Sequence, residues 1–505
     1  MSFAFNFGRV SASGSGPQVR DDEVCRIVLM GDFSGRAHRG VRRNADQLAQ
    51  CKVQRLDPDT LDPLIASFAT TLRVDLAEGS AAGSGTVEFR VASLDDLHPD
   101  ALVDQLPVFG ELMRLRQRLQ NPSTSMAAAQ EVRQWGAAAG WAVPPPAPPR
   151  GRTDALRIDA ELADFSRLLG IAPSPAPQPS PLDAMLREVM APYIVPASSP
   201  DAAALTALVD TALSATLRAL LHHPDVQSLE AAWRSLDFIV RRCECDETLK
   251  LQVVDISAEE FAADLSSTDA LENTGLYRLL VERPSQDARL GPPSVLVGLY
   301  GFEMTPAHAE LLGRIGAIAA KAQAPFIASI GVDVIGLDEQ TLPERTAQAW
   351  SALRGMPQAR FVGLTTPRFL LRAPYGRRTQ SIDRFAFEEC PAQGLGPGLL
   401  WGHSSLLAAA LLGQHAREAG LSEPPGAHLD LDDMAGFVEI DAAGDAVAFR
   451  STEQLLTERQ LMQLLGAHWI PVLAHKALPQ VRLGGLGAID GQVLAGPWSA
   501  QGAHR

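Results

Sequence analysis

Apolar strand patterns alternate with helical patterns between residues 250 and 364, and this alternation constrains the fold more than any other feature of the sequence. Strands that are apolar on both faces and separated by helices are typical of a parallel sheet covered on both sides. We therefore predict an α/β fold in which the larger, C-terminal domain is doubly wound around a mostly parallel sheet. The predicted strands are residues 250–256, 295–300, 326–330 and 361–364, and the predicted helices include 306–323 and 344–354.

Two proline-rich stretches, residues 143–151 and 171–181, divide the chain. Such stretches cannot pack as helix or sheet and form stiff, solvated spacers. Residues 154–169 between them have the spacing of a short amphipathic helix, which we expect to dock on this protein or on a partner. The predicted regions are an N-terminal strand with a flexible tether (1–20), a small α/β domain (21–142), the linker (143–181) and the larger domain (182–505).

The composition of the chain argues against several classes of protein. The net charge of −15 argues against nucleic-acid binding, which needs a clustered basic face. Five cysteines, an odd number in a long chain, indicate reduced thiols and a cytoplasmic location. The sequence has no signal-peptide pattern and no run of about 18 apolar residues, so we expect no membrane insertion.

The N-terminus begins with alternating aromatic residues, Phe3, Phe5 and Phe7, followed by a Ser/Gly-rich stretch. This alternation predicts a strand on a flexible tether that adds to a sheet elsewhere, so the three rings are candidates for protein–protein contact. A buried strand over residues 24–30 follows and ends in the turn GDFSGR. The turn is not a phosphate-binding loop, because Arg36 and Ala37 follow its second glycine where Lys-Ser/Thr is required.

The sequence SLDDLHPD, residues 93–100, could form a metal or acid/base site through its carboxylates and His98. We favour helix caps and turns instead, because those positions recruit Asp for backbone reasons. A helix over residues 101–119 is predicted after it. We expect no metal and no cofactor.

Residues 361–389, FVGLTTPRFLLRAPYGRRTQSIDRFAFEE, form a stiff segment that displays charged side chains. Pro367 and Pro374 fix the backbone and remove donors, so this segment cannot be ordinary helix. Six of its charged residues are candidates for protomer contacts or internal ion pairs. They are Arg368, Arg372, Arg377, Arg378, Glu388 and Glu389.

Two resemblances follow from ordered motifs. GDFSGR, SLDDLHPD and LPVFGELMRLRQRL resemble the small subunit of the type VI secretion contractile sheath (TssB, VipA-like) over residues 1–140. HPDVQSLEAAWRSL, GLYRLLVE, VLVGLYGFEMT and WSALRGMPQARFVGLTTPRFLLRAPYGRRT resemble the large subunit (TssC, VipB/EvpB-like). Large subunits continue well beyond the segment that corresponds to residues 466–473, so we expect a fusion whose large-subunit part is C-terminally shortened.

The resemblance implies a structural, non-enzymatic protein that assembles with itself or other sheath subunits around an Hcp-type inner tube. It also implies contacts with baseplate components and a ClpV-type AAA+ unfoldase. One alternative is a non-polymerising paralogue that acts as a cap, a baseplate-docking factor or an assembly regulator. A remote alternative is an α/β enzyme that uses Asp383, Glu388 and Glu389 as acid/base residues.

Overall fold

The computed structural model describes ten parts of the chain, and several predicted features lie outside them. Phe3, the helix predicted over residues 154–169 and nearly all of both proline-rich stretches are not among the described residues. The described residues are 4–10, 24–76, 85–138, 143, 199, 201–287, 289–390, 398–426, 429–440 and 445–499.

A nine-stranded sheet forms the centre of the molecule, in the order β11-β15-β14-β8-β7-β6-β1-β5-β2. The six strands from β14 to β5 are parallel to their neighbours, and the strands at both edges are antiparallel. This confirms the predicted α/β class. The strands of this sheet are β1 (Cys25–Gly31), β2 (Val53–Leu56), β5 (Leu249–Asp255), β6 (Val295–Phe302), β7 (Phe326–Ile330), β8 (Val362–Thr366), β11 (Asp430–Leu431), β14 (Ile470–Ala474) and β15 (Val481–Leu483).

Strand β1 comes from the predicted small domain but lies inside this sheet. It pairs in parallel with β5 on one side and β6 on the other, so that Ile27 lies beside Leu251 and Val295. All seven of its residues are buried. A parallel strand between two others is paired on both edges and covered on both faces, so β1 holds together strands that come from the predicted larger domain.

Helices cover both faces of the sheet. On β1, Ile27 and Leu29 belong to a core beneath α6, α7 and α13, whereas Val28 and Met30 belong to a core beneath α8, α11 and α12. The helices are α1 (Ala45–Ala49), α2 (Leu61–Phe68), α3 (Pro99–Gln105), α4 (Pro107–Gln120), α5 (Ser125–Ala138), α6 (Ala202–Leu221), α7 (Pro224–Arg242), α8 (Ala258–Ser266), α9 (Gly275–Tyr277), α10 (Arg283–Gln286), α11 (Pro306–Ala322), α12 (Glu344–Arg354), α13 (Ser405–Ala419) and α14 (Glu458–Gly466).

Three two-stranded sheets accompany the central sheet in the described part of the chain. They are β3 (Thr70–Leu76) with β4 (Gly85–Val91), β9 (Phe369–Leu370) with β10 (Trp401–Gly402), and β12 (Phe437–Ile440) with β13 (Ala446–Arg450). The β3-β4 pair packs its apolar face against the core beneath α6 and α7 through Leu72, Val74 and Phe89. Short sheets of this kind depend on such packing for their stability.

The predicted helix over residues 101–119 is wrong in one respect, because two helices occupy this stretch. Leu106 has an extended backbone, with φ −91° and ψ 122°, and separates α3 from α4. Pro107 explains the break, since proline has no amide hydrogen and disfavours helical backbone in the residue before it.

Helix α6 passes the length and composition test for a membrane span, and it is the only described helix that does so. Half of its most apolar window is buried within the fold, where Leu205, Val209 and Leu213 are fully inaccessible. Core helices of water-soluble domains pass the same test, so this finding is weak support for a membrane helix.

Candidate functional site

The turn that follows β1 is held by two carboxylates, one from the turn itself and one from the distant strand β5. The carboxylate of Asp32 accepts hydrogen bonds from the amides of Arg36 and Ala37, both at 2.9 Å. The amides of Phe33 and Ser34 donate to Asp255 at the end of β5, at 3.0 and 3.2 Å. The glycine-containing turn therefore binds a carboxylate of its own chain through its amides.

Arg36 is the centre of a buried ion cluster. Its guanidinium forms an ion pair with Asp255, and it donates to Glu260 at the start of α8, at 2.8 Å. Burial opposes the charge of Arg36, but the two carboxylates outweigh it and raise the pKa. Burial likewise opposes ionisation of Glu260, yet the bonds from Arg36 and the amides of Ser257 and Arg43 lower its pKa. Arg36 and Glu260 therefore stay charged, and their ion pair links the β1 turn to α8.

A second buried cluster surrounds Arg372. Its guanidinium donates to Glu230 of α7 and to Glu389, each at 2.7 Å. Burial opposes the ionisation of Glu389, but His222 and Arg372 outweigh it and lower the pKa to about 2. The amide of Tyr375 adds a hydrogen bond of 2.8 Å to the same carboxylate. Glu389 is thus a fixed anion at neutral pH, which does not suit a residue that must exchange protons.

The segment between Arg372 and Glu389 also contacts α3. The amides of Asp383 and Arg384 donate to the carboxylate of Asp100 at 3.1 Å, and Arg384 forms an ion pair with Asp104. The ring of His98 meets Tyr375 edge to face, with 5.2 Å between ring centroids. The ring of His98 also caps α3, because it accepts a hydrogen bond from the amide of Asp100 at 3.2 Å. The SLDDLHPD sequence therefore supplies a cap through its histidine and inter-element contacts through the carboxylate of Asp100.

The remaining candidates of residues 361–389 lie on the surface. Arg368 forms a bidentate ion pair with Glu453, at 2.6 and 2.9 Å. Arg377 and Arg378 are exposed at the tip of the segment. Glu388 is also exposed, and it accepts the amide of Arg377 at 3.1 Å. The structure therefore separates the six predicted residues into two buried ones, Arg372 and Glu389, and four exposed ones.

The N-terminal segment lies on its own chain. Arg9 forms a parallel bridge with Ala270, and Phe5 and Phe7 pack against the core beneath α8, α11 and α12. The ring of Phe7 takes the space in which Gly313 would otherwise carry a side chain. The described residues 4–10 form only this isolated bridge and no regular strand.

A cleft of about 460 Å³ lies at the carboxyl ends of β1, β5 and β6. Here β5 and β6, which follow each other in sequence, lie on opposite sides of β1. Ligands of doubly wound folds bind at such a position. Two of the polar groups here have partners within the chain, because Asp32 binds the β1 turn and His38 pairs with Asp225. Nδ1 of His403 is buried and has no hydrogen-bond partner among the described residues. Burial and the charge of Arg368 lower the pKa of His403 to about 4, so its ring is neutral.

The described part of the chain contains no group of three or more His, Cys, Asp or Glu side chains placed to hold a metal ion. The sequence interpretation missed the residues that matter most in these clusters, Arg36, Glu230, Asp255 and Glu260. One signal was available, because Glu230 lies within the apolar stripe of α7 between Leu229 and Trp233. A carboxylate on a buried face requires a cationic partner.

Two family models match different parts of this chain. Residues 18–135 match the family described as "Type VI secretion system, VipA, VC_A0107 or Hcp2", and residues 203–425 match the family VipB, described as "EvpB/VC_A0108, tail sheath N-terminal domain". The chain therefore resembles a fusion of a VipA-type region, residues 18–135, and a VipB-type region, residues 203–425. Strand β1, its turn and α3 belong to the VipA-type region, whereas both carboxylates that bind Arg36 belong to the VipB-type region.

A curated relative supports the second assignment. The type VI secretion system sheath protein TssC1 of Pseudomonas aeruginosa (strain PAO1) is 35% identical over 200 residues. The aligned part covers 37% of this chain and 40% of the relative, so the chain spans less than half of that relative's length. The resemblance to a fusion of the two sheath subunits is thereby confirmed.

Proposed function

We propose that this chain is a structural component of a type VI secretion contractile apparatus, in which one polypeptide supplies both the VipA-type and the VipB-type parts of a sheath protomer. The observation that carries the proposal is the position of β1. A strand from the VipA-type region is inserted between two strands of the VipB-type region, so the two regions form one folded unit. Fusion fixes their ratio at one to one and raises their effective concentration.

The buried clusters support a mechanical role over catalysis. Arg36 and Arg372 each bind two carboxylates at largely buried sites, and such cross-links resist separation of the elements they join. Of the carboxylates considered for an enzyme, Asp383 and Glu388 are exposed and Glu389 is bound to Arg372. We infer a non-enzymatic protein located in the cytoplasm.

The proposed partners follow from this role. They are further copies of the chain or other sheath subunits, an Hcp-type inner tube protein, baseplate components and a ClpV-type unfoldase. The surface candidates for these contacts are Arg368, Arg377, Arg378 and Glu388, all of which are exposed.

One observation favours the second candidate function, a cap or assembly regulator that does not elongate. Phe5 and Phe7 pack on the protein's own core, so these residues are not free to add a strand to a neighbour in this conformation. Strand addition to a neighbouring sheet edge would require their release.

Fluorescence imaging in cells separates the two functions. A fluorescent fusion of the full chain is expected to label extended structures along their whole length when the inner tube protein is present. A single spot at one end of a structure labelled by another sheath subunit would support the cap and contradict the sheath role. Diffuse fluorescence in cells with an active system would contradict both.

A further inference from the structure

The turn after β1 continues into a loop that displays two cations around an apolar side chain. This basic loop, residues 36–43, exposes Arg39 and Arg42, and Val41 between them is 49% exposed. Among the described residues, the side chain of Arg39 donates to one backbone carbonyl, that of Ser34 at 3.2 Å. Within the described residues neither Arg39 nor Arg42 has a carboxylate partner.

The two ends of the basic loop are fixed by buried contacts. Arg36 is held by the ion cluster already described, and the amide of Arg43 donates to Glu260 at 2.9 Å. A side-chain nitrogen of Arg43 also donates to the carbonyl of Asp255 at 2.9 Å. Gly40 has a φ of +65°, which allows the tight turn between Arg39 and Val41. A surface fixed in this way loses little conformational entropy on binding, so its exposed cations are preorganised for an acidic partner.

A complementary surface lies at the other end of β5. The acidic loop, residues 244–247, precedes this strand and carries Glu244, Asp246 and Glu247. The side chain of Glu244 is 82% exposed, and Glu247 is also exposed. Arg417 pairs with Glu244 and Asp246, at 2.6 and 3.4 Å, and leaves the loop with excess negative charge.

The two loops face in opposite directions along the same strand. The basic loop is anchored to Asp255 at the carboxyl end of β5, and the acidic loop leads into Leu249 at its amino end. Seven residues of strand separate these ends, or about 20 Å. Two copies in the same orientation, stacked along this direction, would bring the basic loop of one against the acidic loop of the next.

We propose that the basic loop of one copy binds the acidic loop of a second copy in a head-to-tail contact. Such contacts generate open helical polymers when the rotation between copies does not close a ring. The opposite charges would orient the two copies, and Val41 would supply apolar contact between the two cations. The inference rests on the proposed sheath function and names the surfaces through which protomers stack.

Complementary charge reversal tests this contact in the full chain. The head variant, Arg39→Glu/Arg42→Glu, reverses the charge of the basic loop. The tail variant, Glu244→Arg/Glu247→Arg, reverses the charge of the acidic loop. The control is Arg289→Glu/Arg345→Glu, which makes the same charge change as the head variant at exposed arginines elsewhere. Circular dichroism and thermal unfolding first establish that each variant is folded.

Sedimentation velocity then measures self-association at low salt. We expect each of the two loop variants alone to associate at least tenfold more weakly than the wild type, whereas the control matches it. A mixture of the head and tail variants should regain association, because every contact between unlike copies again joins opposite charges. Raising the salt from about 0.01 M to about 1 M shortens the screening length from about 30 to about 3 Å and should dissolve the complexes.

Several results would overturn the inference. They are wild-type protein that stays monomeric at low salt, loop variants that associate as the control does, or a mixture that stays as weak as its components. A head variant that self-associates normally but no longer binds the inner tube protein would assign the basic loop to that partner instead. Electron microscopy separates the two proposals: cylinders formed equally well by the head variant would contradict this contact and leave the sheath function intact.

Discussion

Nη2 of Arg36 and Oε2 of Glu260 lie 2.8 Å apart, and this ion pair joins the turn after β1 to the first turn of α8. The two residues are 224 positions apart in sequence and belong to the VipA-type and VipB-type regions. Both side chains are almost fully buried. Removal of Arg36 therefore leaves the buried carboxylate of Glu260 without its cation.

Replacement of Arg36 by glutamine should strongly destabilise the protein. Asp255 and Glu260 would remain as buried carboxylates without their cation, so we expect the free energy of unfolding to fall by about 3–5 kcal/mol. Urea titration followed by tryptophan fluorescence measures this loss. The control is Arg39→Gln, an exposed arginine three residues later that should change stability by less than about 0.5 kcal/mol. Equal effects of the two substitutions would contradict the assigned role of the cluster.

The ionisation of Glu389 predicts an acid-dependent loss of stability. Its pKa is lowered from 4.5 to about 2 in the folded protein, so its contribution is complete above pH 4.5 and is lost as the pH falls toward 2. Urea unfolding measured across this range should show a declining free energy of unfolding. The decline should be shallower for Glu389→Gln than for the wild type, and the exposed-site control Glu388→Gln should keep the wild-type slope. The same slope in all three proteins would contradict the assignment.

Close contact between α1 and α9 makes Gly275 sensitive to substitution. A side chain there would meet the carbonyl oxygen of Ala45 well inside van der Waals distance, and backbone cannot rotate away. Gly275→Ala should therefore cost about 1–3 kcal/mol through overpacking. Gly355→Ala is the matched control, because the nearest atoms there lie at an ordinary 3.5 Å. Urea titration of both variants should rank them in that order, and the reverse order would show that α1 yields without cost.

The position of β1 predicts that the two regions stay together after the linker is cut. A protease site placed within residues 171–181 allows cleavage of the folded full chain. We expect both fragments to elute together in native buffer and to separate only in denaturant, because β1 is paired on both edges. Dissociation of the fragments in native buffer would contradict the sheet order.

Local patterns in the sequence predicted the elements of the VipB-type region well. The predicted strand at residues 326–330 and the predicted helix at 344–354 match β7 and α12 residue for residue. Their apolar periodicity is a local property, so it can be recognised without knowledge of the partner strands. The break at Pro107 was also a local signal, although the predicted helix over 101–119 did not use it.

Strand order could not be obtained in this way. β1 pairs with residues more than 220 positions away, and no local pattern records which strands become neighbours. The buried clusters were missed for the same reason. Arg372 and Glu389 were predicted as possible ion-pair residues, but the second carboxylate that binds Arg372, that of Glu230, lies 142 positions away in helix α7. The domain boundaries stay predictions, and in the described structure one sheet includes strands from both predicted domains.

Negative-stain electron microscopy of the purified full chain, alone and with an Hcp-type tube protein, tests the central claim most directly. The proposed sheath role predicts hollow cylinders that contain this chain as the repeating subunit and lengthen with protein concentration. Discrete particles that never elongate under either condition would contradict it.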